Sequence, residues 1–194
     1  MRTRLIWLVA ASVVAASGCS TTNVALKYSA PPSLQPVSAG APAVAVVRFD
    51  DRRNESPRAL GLIRTGFGSP MKNLLTSEPV ADVVTAAFAD GVRARGFPQS
   101  DKPRYQISGV VLGLFCDQYH RYEAKAEIEV SVIDAFARKP VLTRTFSANQ
   151  IEGTMFTPGA AFGSVDRLRA VAERTLREVV DKALDDPEVR AALR

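Results

Sequence analysis

The chain has 194 residues, a formal net charge of +5, 46% apolar residues and two cysteines. That length suits one compact domain with a real core and no need of disulfide staples. The charge is too small and too interspersed to mark a nucleic-acid binder, Arg52-Arg53 being its only dense spot.

The chain opens on Met1-Arg2-Thr3-Arg4, followed by an uncharged apolar run from Leu5 to Ala16 and the small residues Ala15-Ala16-Ser17-Gly18 before Cys19. A basic start, an apolar middle and a small-residue site predict a signal peptide over 1–18. The run is shorter than the roughly 20 residues that a membrane-crossing helix needs. A cysteine directly after the small residues resembles a bacterial lipobox. That resemblance implies cleavage before Cys19, a diacylglyceryl thioether on its sulfur and an acyl chain on its amine. Ser20 stands where an aspartate tends to signal inner-membrane retention, so the expected location is the outer membrane, facing the periplasm. Arg2 and Arg4 leave with the signal, which leaves +3 on residues 19–194. With Cys19 acylated, Cys116 has no intramolecular partner. Within the apolar run Val110–Cys116 it is expected to be a buried small hydrophobe, with a reactive thiol as the other reading.

Residues 19–41 hold Pro31-Pro32, Pro36 and Gly40 among Ser, Thr and Ala, and predict a flexible tether. A single domain over 42–194 is expected to follow. Ala43–Phe49 reads as a buried first strand. Residues 50–71 read as a long loop, with a short strand near Leu60–Thr65. In the next segment Val80, Val83, Val84, Ala87, Phe88 and Val92 recur at helical spacing. Ser77 is the expected cap, and Gly96 the stop. Tyr105–Tyr119 is a long strand that is apolar on both faces. Tyr122–Ala135 alternates cleanly, with Tyr122, Ala124, Ala126, Ile128, Val130 and Val132 on one face and charged residues on the other. A third strand covers Val141–Gln150. After a glycine- and proline-interrupted stretch, Ser164 caps a second amphipathic helix, and Asp186-Pro187 opens a short third. The expected fold is α+β, an antiparallel sheet of about four strands with two amphipathic helices on one face.

The search for chemistry yields little. His120 is the only histidine, and no CxxC or HxxxH spacing accompanies it, so no metal or other cofactor is expected. Cys116 and His120 lie four residues apart, about 13 Å along a strand, too far for a nucleophile and its base. Gly61–Gly68 is glycine-rich but lacks the Gly-Lys-Ser/Thr of a phosphate loop. Asp50, Asp51, Arg52 and Arg53 form the densest polar cluster. Its first reading is a local turn with Asp–Arg pairing, and its second is a partner contact. Val111, Phe115 and Phe156 are expected to show apolar surface to a partner, with Val111 and Phe115 sharing a face; the other reading is that the loop over 50–71 folds over this face and buries it. No catalytic residue is assigned.

Ser17-Gly18-Cys19, Val44–Arg53, the helix ending Arg93-Ala94-Arg95-Gly96-Phe97, the hairpin from Tyr105, Gly153 and a closing helix together resemble the YajG-like family of bacterial lipoproteins. The resemblance implies an outer-membrane lipoprotein with no established enzyme activity, and supplies no catalytic residues. The expected function is a non-enzymatic, lipid-anchored envelope module. Its partners would be the membrane through its lipid and an envelope protein, a lipid or the cell wall, not nucleic acid. An auxiliary lipoprotein of a lipid or solvent transporter, gripping apolar ligand on the open sheet face, is the alternative. An anchored hydrolase is a third.

Overall fold

The structure is a computed structural model, and it describes residues 20–34, 36–153 and 163–194. The described residues form one mixed sheet of eight strands with three helices. The strands are β1 (Ser20–Val24), β2 (Val44–Val46), β3 (Asp50–Asp51), β4 (Ala59–Arg64), β5 (Pro70–Thr76), β6 (Tyr105–Gln118), β7 (Tyr122–Asp134) and β8 (Lys139–Glu152). The helices are α1 (Val80–Ala94), α2 (Val165–Leu184) and α3 (Pro187–Ala192).

β6 is the spine. β7 lies antiparallel along one of its edges from Tyr105 to Gln118. Its other edge takes three parallel pieces in series: β2 at Tyr105–Ile107, β3 at Val110–Val111 and β4 at Cys116–Gln118. β5 then pairs antiparallel with β4, and β1 pairs parallel with β5. β8 closes the far side against β7. The sheet is therefore larger than the four strands expected, and mixed rather than purely antiparallel.

Two corrections follow from the strands on the β1 side of β6. The expected loop over 50–71 contains β3, β4 and the start of β5; only the strand near Leu60 was foreseen. Of the expected tether over 19–41, the stretch 20–28 is docked on the domain, and Val37 and Ala41 pack against the core. β1 joins the sheet, Val24 and Leu26 enter the core, and Tyr28 reaches α2. Its backbone is also tied down where Ser77 donates to the Val24 carbonyl and Val37 donates to that of Arg95. Burying two apolar side chains contributes about 1.5–3 kcal/mol each, enough to hold such a segment in place.

Both long helices cover one face. α1 buries Val80, Val83, Val84, Ala87, Phe88 and Val92, the stripe expected. Ser77 is not its cap: Pro79 stands at that position and no side chain caps the helix. Asp82 in its first turn pairs with Arg48. α2 is capped by Ser164, which accepts from the Arg167 amide. α3 is capped by Asp186, which accepts from the amides of Glu188 and Val189. β7 lays all six of its alternating apolar residues against this helix layer, while Lys125 and Glu127 face outward.

Leu112 is an extra residue in β6. Val111 is opposite Ile128 and Gly113 is opposite Glu127, so Leu112 bulges out of the ladder. A bulge shifts side-chain parity by one. Ile107 and Val111 face the helices before it, and Leu114 and Cys116 after it.

Candidate functional site

Within the cluster after β2, the backbone divides four charged residues into two kinds. Asp50 and Arg52 face solvent. Arg53 turns inward until its side chain is 3% exposed. Its Nε and Nη2 donate to the two carboxylate oxygens of Asp51, at 3.0 and 2.9 Å. Its Nη1 donates to the carbonyls of Ala59 (2.6 Å) and Leu114 (3.1 Å), and Nη2 to those of Ser56 and Pro57. Burial alone would raise the Asp51 carboxyl, but hydrogen bonds from Arg53 outweigh it and hold the group below its ordinary value. The guanidinium thus rivets the turn over 53–59 to β6. Asp51 and Arg53 are spent on the fold, and only Asp50 and Arg52 remain for a partner.

The apolar candidates also separate. Val111 is fully buried under the helices, so the expectation that it shares an exposed face with Phe115 fails. The reason is the bulge at Leu112, which puts Phe115 on the open face. Phe115 and Leu112 are 37% and 40% exposed there. Their neighbours across the ladder are Lys125 and Glu127, followed on β8 by Asn149, Ser147 and Thr145. An apolar ligand would meet a largely polar floor on this face. Phe156 and Cys19 lie outside the described residues; Cys19 is joined directly to Ser20, the first residue of β1.

The Cys116 thiol is buried against the helices, as expected, and that burial pushes its pKa up to about 12, with a further contribution from Asp117. A thiol so placed is a poor nucleophile. His120 sits instead in the β6–β7 turn, its ring centroid 3.7 Å from that of Tyr119. Among the described residues no three of His, Cys, Asp and Glu are grouped as a metal ion requires.

One constellation escapes the sequence reading. Arg95, just after α1, is fully buried. It donates to both carboxylate oxygens of Asp185 (2.9 and 2.7 Å), to Asp181 (3.0 Å), to the Tyr28 hydroxyl (3.3 Å) and to the Gly91 carbonyl (3.0 Å). Tyr28 in turn donates to Asp181 at 2.7 Å. Burial and that bond to Asp181 push the Tyr28 pKa up to about 12. The cluster ties the N-terminal segment, α1 and α2 together. A basic residue at a helix C-terminus reads as a complement to the helix dipole; only Asp181 in the last turn of α2 and Asp185 at its C-cap hinted at a partner. A cavity of about 350 Å³ lies nearby, between residues 36–42 and Phe97, Arg190, Leu193 and Arg194.

No described helix is long and apolar enough to cross a membrane. No protein-family model matches the chain, and no curated protein matches it. Solved structures do. A DUF330-family protein from Xanthomonas campestris is similar with a TM-score of 0.58 at 13% identity, over 90% of this chain and 93% of the other. An uncharacterized protein is similar with a TM-score of 0.53 at 9% identity, over 90% and 99%. Lipoprotein GNA1162 from Neisseria meningitidis is also among the matches, with a TM-score of 0.31 at 8% identity over 72% and 99%, too loose a likeness to bear on fold or role. The first two share the fold of this chain across nearly its whole length.

Proposed function

We propose that this chain is a non-enzymatic, lipid-anchored module of the bacterial cell envelope, held at the outer membrane through Cys19 and facing the periplasm, as the YajG-like resemblance implies. The observation that carries the reading is the sequence Ser17-Gly18-Cys19 behind a basic and apolar leader, running straight into the first strand. The chemistry of the body agrees with it. Its thiol is buried, and its best-formed Asp–Arg pairs are engaged with the fold itself. What remains outward is a broad polar sheet face around Phe115, suited to contact with an envelope protein, a lipid or the cell wall.

Metabolic labelling with an alkyne fatty acid tests the anchor. The wild-type protein should take up label and fractionate with the outer membrane. Cys19→Ala should take up none, and should appear as unprocessed precursor or in a soluble fraction. Unchanged processing and membrane retention in that variant would refute the reading. Photo-crosslinking from position 115 in cells should then identify the neighbour.

A further inference from the structure

We infer that one end of the sheet is a membrane-contacting foot, in which Phe67 inserts into the phospholipid surface beside the acylated Cys19. The inference rests on the lipid-anchor reading above and adds an orientation to it. The strand registers gather the foot. β1 starts there, with Ser20 opposite Lys72. β4 and β5 meet there in a hairpin whose turn spans Thr65–Ser69. The β6–β7 turn joins them, because Ile63 of β4 pairs with Gln118.

Phe67 at the hairpin tip is 97% exposed, the most exposed of the large apolar residues described. A phenyl ring left in water forgoes the roughly 1.5–3 kcal/mol that full burial would contribute. The turn that carries it is well formed. The Thr65 amide donates to the Ser69 carbonyl and the Gly68 amide to the Thr65 carbonyl, at 2.8 and 2.9 Å. Gly68 adopts φ +87°, which only glycine takes without strain, and its α-carbon faces the Tyr119 ring. Tyr119 is itself partly exposed, its ring tilted by 41° against that of His120. An aromatic pair at the base and a phenylalanine at the tip suit the boundary between headgroups and acyl chains.

The heights agree. Ser20, the residue bonded to Cys19, lies opposite Lys72. The hairpin tip lies roughly three further residues along the same direction, about 10 Å at strand spacing. An acylated cysteine holds that level at the membrane surface. A projection of about 10 Å then reaches the 5–10 Å depth at which interfacial apolar groups settle. The opposite end carries its own exposed ring, Phe136 in the β7–β8 turn, 75% exposed and beyond the Tyr105–Asp134 pairing. It serves as an internal control.

The only tryptophan, Trp7, is in the predicted signal, so single-tryptophan reporters are simple to make. F67W and F136W, each in the full chain expressed in an acylating host, are reconstituted into phosphatidylethanolamine–phosphatidylglycerol vesicles with brominated acyl chains. Mass spectrometry of the same samples establishes the acyl group. The expected result is loss of most F67W emission and none of F136W emission. Acylated, vesicle-bound protein with F67W unquenched overturns the foot and leaves the anchor standing. Equal quenching of both reporters also overturns it, because the body then has no fixed orientation. Absence of acyl mass removes the anchor and the foot together.

Discussion

Arg95 and Asp185, ninety residues apart in sequence, meet side-on through two hydrogen bonds of 2.9 and 2.7 Å. The arginine has no exposure to water, and it is also shared with Asp181 and Tyr28. Three separate stretches of chain depend on one guanidinium.

Arg95→Ala should therefore destabilise the domain by about 3 kcal/mol, because it takes the shared donor from Asp181, Asp185 and the Gly91 carbonyl and leaves a void. Arg95→Met, which fills the space, should cost less. Urea unfolding of both variants checks this. Equal stability of Arg95→Ala and wild type would refute the clasp.

The same cluster sets an acid limit. Burial would raise the Asp185 carboxyl, but hydrogen bonds from Arg95 and Arg190 hold it below its ordinary value. Hydrogen bonds from Arg174 and then Arg167 lower Glu152, and those from Lys182 and Gln150 lower Glu178. A carboxyl depressed in the folded state contributes stability that is present above its unfolded pKa, near 4, and lost as pH falls through the folded value. Stability should stay level from pH 7 to about 5 and decline below about 4. The decline should be shallower in Arg95→Met. Urea midpoints across that range measure it.

Arg53→Lys should behave almost as badly as Arg53→Ala, with losses of about 2–3 kcal/mol. A lysine cannot hold both Asp51 oxygens and the carbonyls of Ala59 and Leu114 together. Limited proteolysis should show earlier cleavage between residues 52 and 58 in both variants. Asp50→Ala and Arg52→Ala should leave the cleavage pattern unchanged.

Gly61 lies so close to Cys116 that an added Cβ would sit 2.0 Å from its carbonyl oxygen and 2.6 Å from its sulfur. Gly61→Ala should cost about 3 kcal/mol by forcing β4 off β6. Gly66→Ala, where an added Cβ meets nothing, should be nearly neutral by comparison. In the wild type Cys116 should resist alkylation at neutral pH until the domain unfolds. The same Gly61→Ala substitution should speed that reaction.

The legible parts of the fold are those where one face meets water and the other does not. β7 announces itself because Glu123, Lys125 and Glu127 alternate with Ala124, Ala126 and Ile128, and α1 and α2 do so by their stripes. β6 is apolar on both faces, so a single inserted residue leaves no mark on its pattern, and the bulge at Leu112 misplaced Val111. β1 is short and polar through Ser20, Thr21, Thr22 and Asn23, and β5 opens on Pro70 with Lys72 and Asn73 among its apolar residues. Their strand character comes from the neighbours they pair with rather than from their own residues. Within the polar cluster, the sequence marked Asp51 and Arg53 but not their inward direction, which the turn backbone decides.

β1 begins one residue after Cys19 and pairs with β5 at once. A body on a long leash can swing and search a volume around its mooring. This chain, once moored by that cysteine, has almost no slack. β6 spans 14 residues, roughly 45 Å of strand. The β7–β8 turn with Phe136 would stand near that height, like the head of a post, and whatever it meets would have to come to it.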